Sequence, residues 1–153
     1  ESAWYEQSRH SLCFIDLDYF KDINDTHGHH AGDDCLVQLC SIIRSQLREG
    51  DILARLGGDE FSLILTHCPV DVAERLAEEL RRKVATFPFH SGDTTFNLTV
   101  SIGVTEVRGG LSGPDSVMEA ADQACYGAKK QGRDHVYVVS LDPNEAVRSA
   151  HTT

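Results

Sequence analysis

Positive charge is scarce in this chain, and long apolar runs are missing. Its 153 residues carry 14 Lys and Arg against 24 Asp and Glu, a formal charge of −10. Such a balance argues against holding a polynucleotide, whose phosphates are neutralised by clustered cations. It leaves open a mononucleotide held by a metal ion and a few local cations. No stretch approaches the ~20 apolar residues of a membrane-spanning helix, and no signal-peptide pattern opens the chain at Glu1. The chain starts without Met, so the expectation is an excised piece, with a membrane segment or sensor outside it. C-x-x-C pairs are absent too. The five cysteines (Cys13, Cys35, Cys40, Cys68, Cys125) are an odd number set mostly among apolar residues, which reads as reduced, buried thiols of a cytosolic protein.

What is present is a soluble globular composition, 41% hydrophobic and 25% charged, in a chain long enough for one domain with its own core. Internal repeats and low-complexity segments are missing. Residues 1–10 have a helix-compatible composition. Ser11–Leu17 reads as a buried strand ending in Asp16-Leu17-Asp18-Tyr19-Phe20-Lys21. The span 22–33, rich in Asn, Asp, Gly and His, reads as turn-prone. Leu36, Leu39/Cys40, Ile43 and Leu47 recur at helical spacing over Asp33–Arg48, with Gly50 as the stop. Pro69–Glu74 resembles a capping box, and Leu76, Leu80 and Val84 carry a helix to about Thr86. Phe96 to Val104 alternates apolar and polar residues as a half-buried strand. Asp115–Gln131 forms a helix with Val117, Ala121, Ala124/Cys125 and Ala128 on one face, ended by Gly132, and Val136–Val139 is a last strand. Residues 140–153 read as a tail or a linker to an absent region. The order of elements gives an α+β sandwich, helices packed on a mainly antiparallel sheet.

The centre of the pattern is Ala54-Arg55-Leu56-Gly57-Gly58-Asp59-Glu60-Phe61, two apolar runs flanking a Gly-Gly-acid-acid insert. Paired glycines between β-prone segments read as a hairpin, since Gly reaches positive φ without a Cβ penalty. Two adjacent carboxylates on a turn repel unless a cation or a reaction uses them. With Asp16 at a neighbouring strand end, three carboxylates would converge at one sheet edge, a hard-oxygen set that suits Mg²⁺ or Mn²⁺. Each acid alone has an ordinary explanation as a solvated loop residue.

The run Asp16-Leu17-Asp18-Tyr19-Phe20-Lys21-Asp22-Ile23-Asn24-Asp25-Thr26-His27-Gly28-His29, then Gly32-Asp33, then Arg55-Leu56-Gly57-Gly58-Asp59-Glu60-Phe61, and finally Ala128-Lys129-Lys130-Gln131-Gly132-Arg133-Asp134, resembles the GGDEF family of diguanylate cyclases. The resemblance covers about Ser11 to Val139, with residues 1–139 as the single domain. It implies a ferredoxin-like, nucleotidyl-cyclase-like (palm-type) fold and the condensation of two GTP into cyclic di-GMP with release of pyrophosphate. It also implies Mg²⁺ or Mn²⁺, two per GTP, at Asp16, the Leu17 carbonyl, Asp59 and Glu60. Asp59 would also help deprotonate the attacking 3′-hydroxyl, with Glu60 beside it. Gly57 and Gly58 would let backbone approach the nucleotide. Asn24 and Asp33 would read the guanine edge in a pocket lined by His29 and Leu36. Backbone N–H groups of Tyr19 and Phe20, with the cations Lys129 and Arg133, would hold the terminal phosphates, and Lys21 would also belong to the GTP site.

The resemblance further implies a second GGDEF protomer facing the first, and sensory or phosphodiesterase domains in the longer chain. It implies product inhibition by cyclic di-GMP at Arg48 and Asp51, with Arg75, Arg81 or Arg82 contributing a further cation. The alternative is a regulatory module that binds GTP or cyclic di-GMP without significant catalysis. Taken singly, the same residues have plainer readings. Asn24 serves as a turn residue, Asp33 as an N-cap, Lys129 and Arg133 as helix-end cations, and Arg48 with Asp51 as a surface pair. The family's upstream D-x-L-T turn and N-R pair are missing from this sequence.

Overall fold

The computed structural model describes residues 9–108, 114–139 and 148–149. Strand β1 (Arg9–Leu17) leads into helices α1 (Phe20–His27) and α2 (His29–Ser45), then strands β2 (Ile52–Arg55) and β3 (Glu60–Leu65). Helix α3 (Val70–Thr86) is followed by a small hairpin, β4 (Phe89–Ser91) and β5 (Thr94–Phe96). Strand β6 (Val100–Arg108), helix α4 (Pro114–Lys130), strand β7 (His135–Val139) and the two-residue β8 (Arg148–Ser149) complete the order.

The main sheet runs β2-β3-β1-β6-β7-β8. Strand β1 lies antiparallel between β3 and β6, and the β6–β7 pairing is parallel, as the crossover through α4 requires. The architecture is therefore α+β with a mixed sheet. One face carries Cys13, Ile15, Leu17, Val100, Ile102, Val104, Val136 and Val138, packed with Leu39 and Ile43 of α2 and Leu80 and Val84 of α3. Helix α4 covers the other face through Ala120 and Ala124 against Tyr137 and Val139.

Several local expectations change. Strand β6 begins at Val100 rather than Phe96, which belongs to β5. It is buried on both faces from Val100 to Thr105, because α3 and α4 sandwich it. The polar span 22–33 is helical, broken only at Gly28 (φ +92). Its Asp, Thr and His side chains face solvent while Phe20, Ile23, Ala31 and Cys35 are buried. Helix α3 starts at Val70 on Pro69 with no side-chain cap, which leaves Asp71 in the first turn to complement the helix dipole. Of the stretch read as helix-compatible, residues 1–8 lie outside the described residues, and Arg9 and His10 begin β1. Of the stretch read as tail, Arg148 and Ser149 add an antiparallel strand to β7. Val117 and Ala121 lie in α4, but their side chains fall outside the description.

Candidate active site

The antiparallel register sets Asp16 opposite Glu60 on β3 and Ser101 on β6, at the carboxyl end of β1. The hairpin turn is tied to that end, since the Leu17 N–H donates to the Asp59 carbonyl at 3.2 Å. Within the turn, the Leu56 and Gly57 N–H groups both donate to the Glu60 carbonyl, at 2.8 and 3.3 Å. Arg55, to which the sequence reading gave no role, donates from Nε to Gly57 O at 3.0 Å and from Nη2 to Gly58 O at 2.7 Å. The glycines are not at positive φ, so their value is space. Nothing lies within 4 Å of a Cβ added at Gly58, and one at Gly57 would come 3.3 Å from Glu60 Oε1.

Asp16 is the strained charge of the site. Burial raises its carboxyl, hydrogen bonding to Lys129 lowers it, the Asp59 charge raises it again, and the result is about 6. Lys129 Nζ stands 2.8 Å from Asp16 Oδ2, while the buried Oδ1 has no hydrogen-bond partner. Among the described residues no three His, Cys, Asp or Glu side chains surround a common point. The expected trio is thus a pair, Asp16 with Asp59, and an exposed Glu60 beside it. A hard carboxylate pair with an unsatisfied buried oxygen fits Mg²⁺ or Mn²⁺, which bind through one or two carboxylates and complete their shell with water and phosphate oxygens.

Tyr19, at φ 59, turns the chain from β1 into α1, and no side chain caps that helix. The Asp22 N–H donates to the Tyr19 carbonyl at 3.1 Å, which leaves the N–H groups of Phe20 and Lys21 at the helix start for an anion. The Arg133 guanidinium lies over the Tyr19 ring, 4.8 Å from the centroid, which brings the second cation to the same place. Lys21 is exposed on the first turn of α1. Asn24 points a buried Oδ1 with no partner toward α2. It fits there because residue 32 is glycine, where a Cβ would stand 2.0 Å from that oxygen. Asp33, Leu36, Phe61 and Arg55 line an open groove of about 580 Å³. His29 begins α2 exposed and does not line it.

Asp18 is the residue that sequence reasoning passed over. It is 2% exposed and accepts hydrogen bonds from Thr99 Oγ1 at 2.7 Å, Ser101 Oγ at 2.6 Å and the Asp134 N–H at 2.9 Å. The hydroxyls of Thr99, just before β6, and of Ser101, fully buried within it, were the signal that a buried acceptor faces them. Arg48 and Asp51 do meet. Asp51 Oδ2 accepts from the Arg48 N–H at 2.9 Å with Arg48 Nε 3.5 Å away, Oδ1 accepts from the Thr66 N–H at 3.2 Å, and the Asp51 side chain is 2% exposed. Arg48 is 57% exposed and donates from Nη2 to the Thr66 carbonyl at 2.8 Å. Arg81 is buried and bonded to Glu78 and Asp134, so it is not the free cation expected near that pair.

Residues 1–135 match the family described as "Diguanylate cyclase, GGDEF domain". The chain belongs to the GGDEF domain family. It is 41% identical over 127 residues to Diguanylate cyclase DgcP of Pseudomonas aeruginosa, covering 83% of this chain and 19% of that protein. It is 40% identical over 126 residues to Diguanylate cyclase A of Treponema denticola, covering 82% of this chain and 34% of that one. The GGDEF domain thus spans about a third or less of the length of these curated relatives. Among solved structures, the GGDEF domain of DgcB from Caulobacter crescentus in complex with c-di-GMP superposes with a TM-score of 0.80 at 33% identity, covering 91% of this chain and 82% of that one. The active GGEEF domain of a diguanylate cyclase from Vibrio cholerae gives 0.81 at 32%, covering 87% and 84%. Among the described residues, no helix of this GGDEF domain is long and apolar enough to cross a membrane.

Proposed function

We infer that this GGDEF domain is the catalytic domain of a diguanylate cyclase that joins two GTP into cyclic di-GMP. The observation that carries the reading is the Asp16–Asp59 pair, with Lys129 on one of its oxygens, beside an uncapped helix start, together with the groove lined by Asp33 and Leu36. Asn24 and Asp33 orient the guanine, the amide offering a donor and an acceptor and the carboxylate accepting from N1–H and the amino group. The N–H groups of Tyr19 and Phe20, with Lys21, Lys129 and Arg133, hold the phosphates. Asp59 takes the proton of the 3′-hydroxyl, whose oxygen bonds to the α-phosphorus of the other GTP as the bond to the β-phosphate oxygen breaks and pyrophosphate leaves.

Asp16, Asp59 and the Leu17 carbonyl, with Glu60 beside them, would hold Mg²⁺ or Mn²⁺, two per GTP, which supply neutralisation of phosphate charge. Lys129 neutralises Asp16 in this structure, and it becomes available to phosphate oxygens when that carboxylate is neutralised otherwise. The rest of catalysis is positioning. One domain carries one such set of residues, so two domains face each other with a GTP in each. Substrate GTP and five free cysteines both fit a cytoplasmic setting.

Incubation of the domain with GTP and Mg²⁺, followed by nucleotide analysis, tests the assignment. Asp59→Ala is expected to lower cyclic di-GMP formation roughly a thousandfold, the scale of several kcal/mol of lost charge stabilisation. Turnover retained in that variant would sink the assignment.

The same reading extends to product inhibition at Arg48 and Asp51. Arg48 and Asp51 both bond to the backbone of Thr66, just before α3 begins at Val70 with Asp71 in its first turn, which puts the pair near that end of the helix. Arg75, exposed and one turn further along, is thus the better third partner than Arg82. Calorimetry with cyclic di-GMP should show about tenfold weaker binding to Arg48→Ala, the scale of one charge-assisted contact. Unchanged affinity would remove Arg48 from the inhibitory site.

A further inference from the structure

Arg133 reaches the phosphate end of the site from a backbone that side chains seldom adopt. Helix α4 ends in a Schellman motif, with the Gly132 N–H donating to the Lys129 carbonyl and the Arg133 N–H to the Ala128 carbonyl, both at 3.2 Å. Gly132 sits at φ +109, and the chain then stays left-handed for two residues that are not glycine, Arg133 at φ 65 and Asp134 at φ 46. Such a pair persists only where surrounding contacts over-determine it.

Those contacts converge on Asp134. Its N–H donates to the buried Asp18 carboxylate at 2.9 Å, and its Oδ1 accepts from Arg81 Nη1 at 2.8 Å. Arg81 belongs to α3, which packs on the sheet face opposite α4. Its side chain is 10% exposed and bonded through Nε to Glu78, one turn earlier in the same helix. Burial alone would lower its pKa, but the bonds to Glu78 and Asp134 more than offset this and hold it charged. A fork fixed at one prong by Glu78 has a single direction left for the other. It spends that direction on the residue next to Arg133.

We propose that Arg81, acting through Asp134, is a positioning residue for the phosphate grip, fixing Arg133 over Tyr19 and so setting affinity for the terminal phosphates without touching the nucleotide. The proposal rests on the reading of this site as a GTP site. A purely structural staple at the α4–β7 corner would act on stability alone, or on all ligands equally. A positioning device acts on ligands in proportion to the phosphates they carry beyond the first.

The test compares GTP with GMP, which shares the base and the first phosphate. Calorimetry on the full chain, with GTP in Ca²⁺ to suppress turnover, is run for the parent, Arg81→Lys, Asp134→Ala, Asp134→Asn, Arg133→Ala and the double variant Asp134→Ala/Arg133→Ala. Asp134 is half-exposed, so Asp134→Ala keeps the proposal testable should Arg81→Lys fail to fold. Asp134→Ala is expected to weaken GTP about tenfold and leave GMP within about twofold. Asp134→Asn keeps an acceptor for Arg81 and should recover most of the loss. In kinetics KM for GTP rises while kcat is nearly kept. In the Arg133→Ala background the Asp134 change should cost nothing further, because both act through one guanidinium. Equal losses for GTP and GMP, or additive losses in the double variant, would overturn the positioning role while leaving a parent that binds GTP. A parent that binds neither nucleotide would overturn the site reading together with it.

Discussion

Asp16 occupies a position where burial and a second carboxylate both work against its charge, with Lys129 the one group working for it. Its folded value of about 6 lies above the ordinary 3.8, so between those values the native chain binds more protons than the unfolded chain. The stability of metal-free protein therefore falls as pH rises through that window, and the full cost is present above it. Replacing the carboxylate by an amide removes the cost. Asp16→Asn should raise the thermal midpoint in EDTA at about pH 7.5, and the difference should shrink as pH falls and vanish only well below the ordinary 3.8, where the carboxyl is neutral in folded and unfolded chains alike. Lys129 remains 28% exposed and can turn to water when its partner loses charge. A variant no more stable than its parent at the higher pH would contradict the account. Function is the counterweight, since the oxygens that destabilise the empty site are those a cation would satisfy.

The residues legible in the sequence were those whose chemistry is odd for their local setting. Acids beside a glycine turn and an acid closing an apolar strand are each ordinary alone, and it is their combination that is odd. The residues that were missed act through partners remote in sequence. Asp18 meets Thr99, Ser101 and Asp134, and Arg81 meets Asp134, all more than fifty positions away. Gly32 looked like one more loop residue, yet it is the space into which Asn24 projects its oxygen.

At the scale of elements, periodicity located β1, the β2–β3 hairpin, α3, α4 and β7, each within a few residues of its bounds. It also located α2, missing only the helix's first turn, but it failed at α1, where a polar outer surface disguised the buried Phe20 and Ile23. It also described β6 as half-buried, because Ser101 and Thr105 alternate with Val and Ile but are themselves covered. Helix α4 has a comparable hidden constraint at Gly127. A Cβ there would stand 2.6 Å from Cδ2 and Cε2 of the Tyr137 ring on β7, the ring that helps close the second face of the sheet. Alanine would gain about 1 kcal/mol of helix propensity and lose about 1–3 kcal/mol to overpacking. Gly127→Ala should lower stability in urea, with the denaturant slope unchanged. Equal or greater stability would show that the ring yields freely and that α4 tolerates a wider separation from β7.

For the molecule as a whole, the proposed reaction would leave a single copy incomplete. The site lies at the carboxyl end of β1 and on the hairpin turn, and on the proposed reading it holds one carboxylate pair, one pair for the base and one set of cations for the phosphates. Closing a ring from two GTP takes two in-line attacks, each by a 3′-hydroxyl on the other nucleotide's α-phosphate. A single copy of these residues positions one nucleotide. On the proposed reading two copies facing each other would position both, and the reaction would then inherit the concentration dependence of the encounter. Initial rates at saturating GTP should rise more steeply than the first power of protein concentration while the domain is mostly monomeric, and become linear once it is paired. Fusing a parallel coiled-coil dimer ahead of Arg9 should raise the rate at low concentration by supplying an effective local concentration of the order of millimolar. Asp59→Ala mixed with an excess of parent would form dead mixed pairs and depress the rate below that of the parent alone. Rates strictly proportional to protein across the whole range, unaffected by the fusion or by the inactive partner, would mean that one chain performs both attacks and that the facing arrangement is not how this domain works.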